Sequence, residues 1–254
     1  MILLFGALCS LFIGISLGLL GSGGSILAIP MLILLFGLPP KRAIALGFPL
    51  VGLSSGIGFI VKGLKQKFPW RVIALFGVST FVGSYATAQF ARSIPGHIQW
   101  KLFAIVLVVT GVLMLRAPNY IPPTRPLHRR FFLKIAAGLI VGALTGILGV
   151  GGGFLMVPVL VLLVGLPMKM ASLVSLALIT VNCALAFSVH YVVMTPQDWN
   201  LFVILFPTFL LGFFLGNQLT KRVTDVDLRQ MFGYCILLVA TGAFIHAFGL
   251  ISHP

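Results

Sequence analysis

The sequence predicts an all-α polytopic membrane protein made of two inverted-topology repeats, each a Gly-loop-broken helical hairpin followed by three transmembrane helices. Three observations carry this prediction. The composition is 59 % hydrophobic and only 8 % charged, with a mean hydropathy of +1.17, which is far from a soluble balance. Apolar runs of about twenty residues recur between short basic or proline-rich clusters. A glycine-rich stretch also occurs twice: GISLGLLGSGGSILAIPMLILLFGLPPK at 14–41 and GALTGILGVGGGFLMVPVLVLLVGLPMK at 142–169. At this spacing Gly14, Gly18, Gly21, Gly23, Gly24 and Gly37 all face glycines, Pro30 and Pro39 face prolines, and Lys41 faces Lys169. With 29 glycines in 254 residues, six such matches arise by chance on the order of once in a million, so the chain is an internal duplication.

Taken in order, apolar runs fall at 2–20, 25–37, 43–61, 72–91, 102–115, 131–148, 154–166, 170–194, 200–219 and 231–251. Residues 2–20 start apolar at once, with no basic leader or small-residue cleavage site, and are expected to be a retained membrane segment. Most runs can cross a hydrocarbon core of about 30 Å. The runs 25–37 and 154–166 cannot, because thirteen helical residues reach only about 20 Å, and the proline early in each removes a backbone donor. Each repeat therefore reads as long helix, glycine loop, short helix and three full spans. The domains expected are a first repeat at 1–116, a basic Pro-rich cytoplasmic link at 117–130, and a second repeat at 131–254.

Orientation follows from Lys and Arg. If each hairpin returns to its starting side, Lys62, Lys65, Lys67, Arg71, Arg116, Arg125, Arg129, Arg130, Lys134, Lys169, Lys221, Arg222 and Arg229 share one side, 13 in all. The other side holds four, Lys41, Arg42, Arg92 and Lys101, together with Asp198. Treating each hairpin as one broken span would divide the same residues 9 to 8. The positive-inside rule expects asymmetry, which favours hairpins, both termini outside and the central link in the cytoplasm. An odd number of crossings per repeat then turns the second copy upside down, and inverted repeats with broken helices are the signature of secondary transporters.

The candidate substrate-binding residues are Gly21, Ser22, Gly23, Gly24, Ser25, Gly149, Gly151, Gly152 and Gly153 in the loops, with Ser54, Ser55 and Asn182 deep in spans. Irregular backbone at membrane depth is tolerated only where protein buries it or it lines a cavity. The short helix after each loop points its N-terminal N–H groups and positive dipole end at the break, an arrangement that suits an anion. The competing reading is tight packing, which explains Gly14-xxx-Gly18 and Gly142-xxx-Gly146 best. Ser54 and Ser55 face Asn182 and Cys183 at the repeat spacing, as a central site between halves would require; interhelical hydrogen bonding is the plainer explanation. Ser84, Gln89, His190, Asn217 and Gln218, nearer the span ends, are vestibule or coupling candidates. His190 is the intramembrane group best suited to titrate, with His246 similar, although histidines near helix ends also serve as interfacial residues.

Other classes are excluded by composition. The three acids, Asp198, Asp225 and Asp227, are all read as loop residues, so coupling through a carboxylate within a span is not available. Cys9, Cys183 and Cys235 lie in apolar runs without metal or disulfide spacing. No P-loop lysine follows Gly23-Gly24. The net charge of +14 sits in connecting segments, where anionic headgroups meet it, and calls for no nucleic acid. No enzyme chemistry, cofactor or metal is implied.

The paired GLLGSGGSILAIPMLILLFGLP and GILGVGGGFLMVPVLVLLVGLP resemble the signature of the TauE/SafE family of sulfite exporter-like permeases, in which each half carries a Gly-rich loop, a Val/Ile-Pro and a Gly-Leu-Pro. The resemblance covers nearly the whole chain. It implies a multi-pass cytoplasmic-membrane transporter of small anions such as sulfite, sulfoacetate or related sulfonates, mostly by export. Two departures stand out: Ser25 replaces the glycine found at Gly153, and Pro39-Pro40 becomes Pro167-Met168. The first leaves open whether both loops touch substrate. An anion channel or passive pore, or a non-transporting membrane scaffold, are the alternatives. Direction, coupling ion and oligomeric state, a homodimer among the options, are not fixed by the sequence.

Overall fold

The computed structural model describes residues 2–63, 70–91, 94–116, 127–148 and 153–247. Among these residues ten α-helices run in the order α1 (Ile2–Leu20), α2 (Gly23–Phe36), α3 (Pro40–Gly63), α4 (Trp70–Ala91), α5 (Gly96–Arg116), α6 (Leu127–Leu148), α7 (Gly153–Leu162), α8 (Met168–His190), α9 (Pro196–Thr220) and α10 (Asp225–Ala247), with a 3-10 turn at Tyr191–Val193. No strand occurs among the described residues.

Among the described residues three helices are long and apolar enough to cross a membrane, over Lys41–Gly63, Met168–Ser188 and Pro196–Thr220. Their surroundings differ. In α3 and α8, 61 % and 56 % of the apolar window is buried, against 28 % in α9. Residues 45–52 and 171–179 are buried without a break, as in helices enclosed on all sides. Large apolar side chains of α4, α5, α9 and α10 instead point outward, among them Val78, Phe81, Ile105, Leu113, Val203, Leu211 and Leu238. Exposed apolar surface of that extent suits lipid.

Short helices accompany the long ones. α2 has 14 residues and α7 has 10, spanning about 21 Å and 15 Å at 1.5 Å per residue. α2 continues through Pro30, whereas α7 stops four residues after Pro158. Both then turn on a left-handed glycine, Gly37 (φ 62) and Gly165 (φ 77), which occupy matching places in the two repeats. No atom lies within 4 Å of a Cβ at either position, so only the backbone conformation calls for glycine there.

Two compact units contain these helices: Met1–Pro69 with Lys169–Thr224, and Trp70–Met168 with Asp225–Pro254. Each unit draws helices from both sequence repeats. In the first, α2 folds back along α1, since Gly24 lies against Leu17 and Ile13 while Phe36 reaches Gly6. The two helices form an antiparallel hairpin. α1 then packs on α9 backbone to backbone: Gly14 meets Phe209 and Phe213, Gly18 meets Phe213 and Asn217, and Gly212 and Gly216 meet Leu11, Ile15 and Leu19. The two numberings rise together, so the helices run parallel, each presenting a small-xxx-small ridge to the other.

The second unit contains the corresponding pair. Gly142 and Gly146 of α6 lie against Thr80 and Ser84 of α4, and Gly83 lies against Leu139 and Ala143. Where α9 has Gly216 on Ile15, α4 has Thr87, whose hydroxyl donates to the Ala143 carbonyl at 3.1 Å. α5 and α10 meet reciprocally, Gly111 under Leu237 and Gly233 under Leu115, each Leu 2.8 Å from the position of a Cβ. Phe154 of α7 sets its ring edge-on to Phe103 of α5 at 5.5 Å.

All three acids read as loop residues lie in first turns of helices, Asp225 and Asp227 in α10 and Asp198 in α9. Asp198 is 1 % exposed, and its carboxylate completes a capping box by accepting the Thr195 N–H at 2.8 Å. It also receives Arg42 of α3 through Nε at 3.0 Å and Nη2 at 2.8 Å. The pair joins the starts of α3 and α9.

Candidate substrate-binding site

The break between α1 and α2 occupies two residues. Gly21 adopts φ +85, its N–H bonding Leu17 O at 2.8 Å. It is buried so closely against Ser172 of α8 that a Cβ would lie 2.8 Å from the Ser172 Cα. A side chain is thus refused twice here, by conformation and by space. Ser22 is fully buried at the N-cap position of α2 but makes no side-chain capping bond. The first-turn N–H groups of α2, which opens at Gly23, therefore have no side-chain acceptor from Ser22.

A second polar region lies where α3 meets α8. A Cβ on Gly52 would sit 2.7 Å from that of Cys183, and one on Gly56 would sit 3.1 Å from Thr180 Cγ2. One numbering rises as the other falls, so the helices run antiparallel at this contact. The stretches that meet are repeat-equivalent. Ser54 and Ser55, on α3 between those glycines, are fully buried. Asn182, half-buried, stands beside Cys183 on α8.

Hydroxyls of helical Ser and Thr ordinarily satisfy themselves by donating to a carbonyl three or four residues back. Thr80 donates to Phe76 O, Thr145 to Gly142 O, Ser175 to Ser172 O and Thr180 to Leu176 O in this way. Ser54, Ser55 and Ser172 do not: each Oγ is buried with no hydrogen-bond partner. Leaving a hydroxyl in that condition costs about 1–3 kcal/mol, and three in one unit form a set of donors and acceptors free to engage a solute.

At the loop end of α1, Lys62 of α3 donates through Nζ to Gly18 O at 3.1 Å and stands 5.8 Å from the centre of the Phe213 ring. Thr220 of α9 reaches the same carbonyl at 3.3 Å. The loop and the crossing are separate along α8, because Ser172 and Thr180 are eight residues apart, about 12 Å.

The remaining sequence candidates are placed as follows. Gly149, Gly151 and Gly152 lie outside the described residues, as do the side chains of Ser25, Gln89 and His190. Gly153 opens α7 and is buried. Ser84 and Asn217 are half-buried at the glycine seams, each with its backbone N about 3 Å from where a Cβ on the facing glycine would be, 2.9 Å at Gly142 and 3.0 Å at Gly18. Gln218 is exposed. In the sequence Lys62 reads as a topology-setting charge that could also gather anions at the cytoplasmic mouth, and Ser172 is not singled out. Ser172 stands opposite Ile44 at the repeat spacing, so a search for matched polar residues passes over it.

The sequence matches known proteins over most of its length. The profile of the family "Sulfite exporter TauE/SafE" matches residues 6–243. A "Probable membrane transporter protein" of Xylella fastidiosa (strain 9a5c) is 29 % identical over 235 residues, covering 90 % of this chain and 89 % of that protein. The "Probable membrane transporter protein YunE" of Bacillus subtilis is 24 % identical over 246 residues, with 87 % and 89 % covered. A "Probable membrane transporter protein" of Methanocaldococcus jannaschii is 28 % identical over 179 residues, 66 % of each chain. The match runs from the first hairpin to the last helix, and by it the chain belongs to the sulfite exporter TauE/SafE family of membrane transporters.

Proposed function

We propose that this transporter moves a small anion such as sulfite, sulfoacetate or another organosulfonate out of the cell by alternating access between two inverted halves. The anion is held at Gly-rich half-helix N-termini. The reading rests chiefly on Ser54, Ser55 and Ser172, buried hydroxyls with no protein partner, the last of them packed against the Gly21 turn that breaks the first hairpin. A helix N-terminus of this kind favours negative charge. Support for inversion comes from α3 and α8, repeat-equivalent helices that meet antiparallel through matching residues. Helices related by an order-preserving two-fold run antiparallel only when the axis crosses them, which in a membrane means an axis in the bilayer plane.

Purified protein in liposomes loaded with sulfite provides the test. Saturable efflux, inhibited by sulfoacetate and indifferent to glycerol, is expected; equal handling of charged and uncharged solutes refutes the anion site. Counterflow distinguishes a carrier from a pore, since only a carrier accumulates label against an equilibrated gradient. Asn182→Leu leaves a scaffold intact and abolishes transport.

A further inference from the structure

We propose that Lys62 and Ser172 are anion ligands at the Gly21–Ser22 turn, with Lys62 supplying the positive charge that selects an anion over a neutral solute of the same shape. This rests on the transport reading above and adds to it the residue that determines charge selectivity.

Three observations converge on the turn. Ser172 Oγ is buried, lacks a partner and lies directly against Gly21. The fourteen-residue α2 opens two residues later, at Gly23, with its N-terminal end at the turn. Lys62 attaches to Gly18 O, about 4.5 Å of helix rise before Gly21. An ammonium carries three N–H donors. That carbonyl takes one, while the Phe213 face attracts the charge without accepting a conventional hydrogen bond. Among the described residues no carboxylate pairs with Lys62. The one buried acid of its unit, Asp198, is bound to Arg42 at the start of α3, some twenty residues away along the helix and about 30 Å distant.

A bound oxyanion meets hydroxyl, backbone N–H and ammonium donors with no competing negative side chain. Ser54 and Ser55 precede Lys62 by eight and seven residues on α3, about 11 Å, so an ion of sulfite size touches one group or the other at a given moment. The turn is then the charged station and the α3–α8 crossing a neutral one.

A purely structural role, in which Lys62 only caps the end of α1, predicts a different pattern of variants. Thr220, whose one hydroxyl proton lies nearest Gly216 O at 3.0 Å, also reaches Gly18 O and Leu19 O at 3.3 Å, so Thr220→Val loosens the same end of α1 without removing charge. Sulfite uptake kinetics in liposomes, together with Tm in detergent, are to be measured for the wild type, Lys62→Met, Lys62→Arg, Ser172→Ala and Thr220→Val. We expect half-saturation by sulfite to rise roughly tenfold or more in Lys62→Met and several-fold in Ser172→Ala. Lys62→Arg should restore most of the affinity, and Thr220→Val should lower Tm with affinity unchanged. Unchanged half-saturation in Lys62→Met, or a rise equalled by Thr220→Val, overturns the ligand role while leaving anion transport standing. If the wild type shows no response to sulfite, the transport reading falls and this assignment falls with it.

Discussion

Replacing Gly14 by alanine adds one methyl group to the seam between α1 and α9. The new Cβ would lie 2.9 Å from the carbonyl carbon of Phe209 and 3.0 Å from the amide nitrogen of Phe213. Both are main-chain atoms, so no side-chain rotation relieves the contact. Carbon atoms settle at about 3.5–4.0 Å, so the helices must part by roughly 0.5–1 Å, which forfeits about a quarter to a half of each dispersion contact along the seam. Overpacking of this kind costs about 1–3 kcal/mol, and the helix-propensity gain of about 1 kcal/mol for Gly→Ala offsets part of it. At roughly 2–4 °C per kcal/mol for a chain of this size, Tm should fall by a few degrees. Gly242→Ala is the matched control. Gly242 is exposed on α10 with no atom within 4 Å of a Cβ, so the same change should raise Tm slightly. Gly142→Ala, in the corresponding seam with Thr80 and Ser84, should behave like Gly14→Ala. Thermal unfolding in detergent, followed by circular dichroism, reads all three. Equal shifts for Gly14→Ala and Gly242→Ala would refute the backbone-to-backbone seam.

Ser54→Ala and Ser55→Ala should leave Tm unchanged or higher, because each removes an unpartnered buried hydroxyl, yet sulfite flux should fall several-fold; a drop in Tm without a flux defect counts against the site. Arg42→Met strands the Asp198 carboxylate and should lower Tm, with Arg42→Met/Asp198→Asn recovering part of the loss, as a double-mutant cycle would measure. With the native cysteines replaced, Tyr120→Cys should react with an impermeant maleimide only in inverted membrane vesicles and Lys41→Cys only from the cell exterior; the opposite pattern reverses the orientation read from Lys and Arg.

Much of the fold is legible because its sharpest constraints act on single residue types. Gly37 and Gly165 are required by conformation, while Gly14, Gly18, Gly142 and Gly146 are required by helix approach. The same few glycines that reveal the duplication also report the hairpin ends and the packing ridges. Which ridge meets which is not encoded this way. A small-xxx-small stripe declares that something comes close without naming the partner, and α1 has several glycine-bearing helices to choose from. The Arg42–Asp198 pair was equally hidden, since 156 residues separate its members and neither has a charged counterpart at the repeat spacing. At the site, repeat symmetry drew attention to Ser54, Ser55 and Asn182. It drew attention away from Ser172, whose importance comes from contact with Gly21 and from a hydroxyl that does not bond back to its own helix.

The pairing of α1 with α9 has a consequence for biosynthesis. Ser10 and Leu205, which bond across that seam, are separated by 195 residues, and translation at about 5–20 residues per second places roughly 10–40 s between their appearances. For that interval the glycine face of α1 has no native partner and must rest against lipid, a chaperone or a provisional neighbour. Neither repeat can supply the partner to its own leading helix, so a half-chain would acquire this seam only by borrowing from another copy.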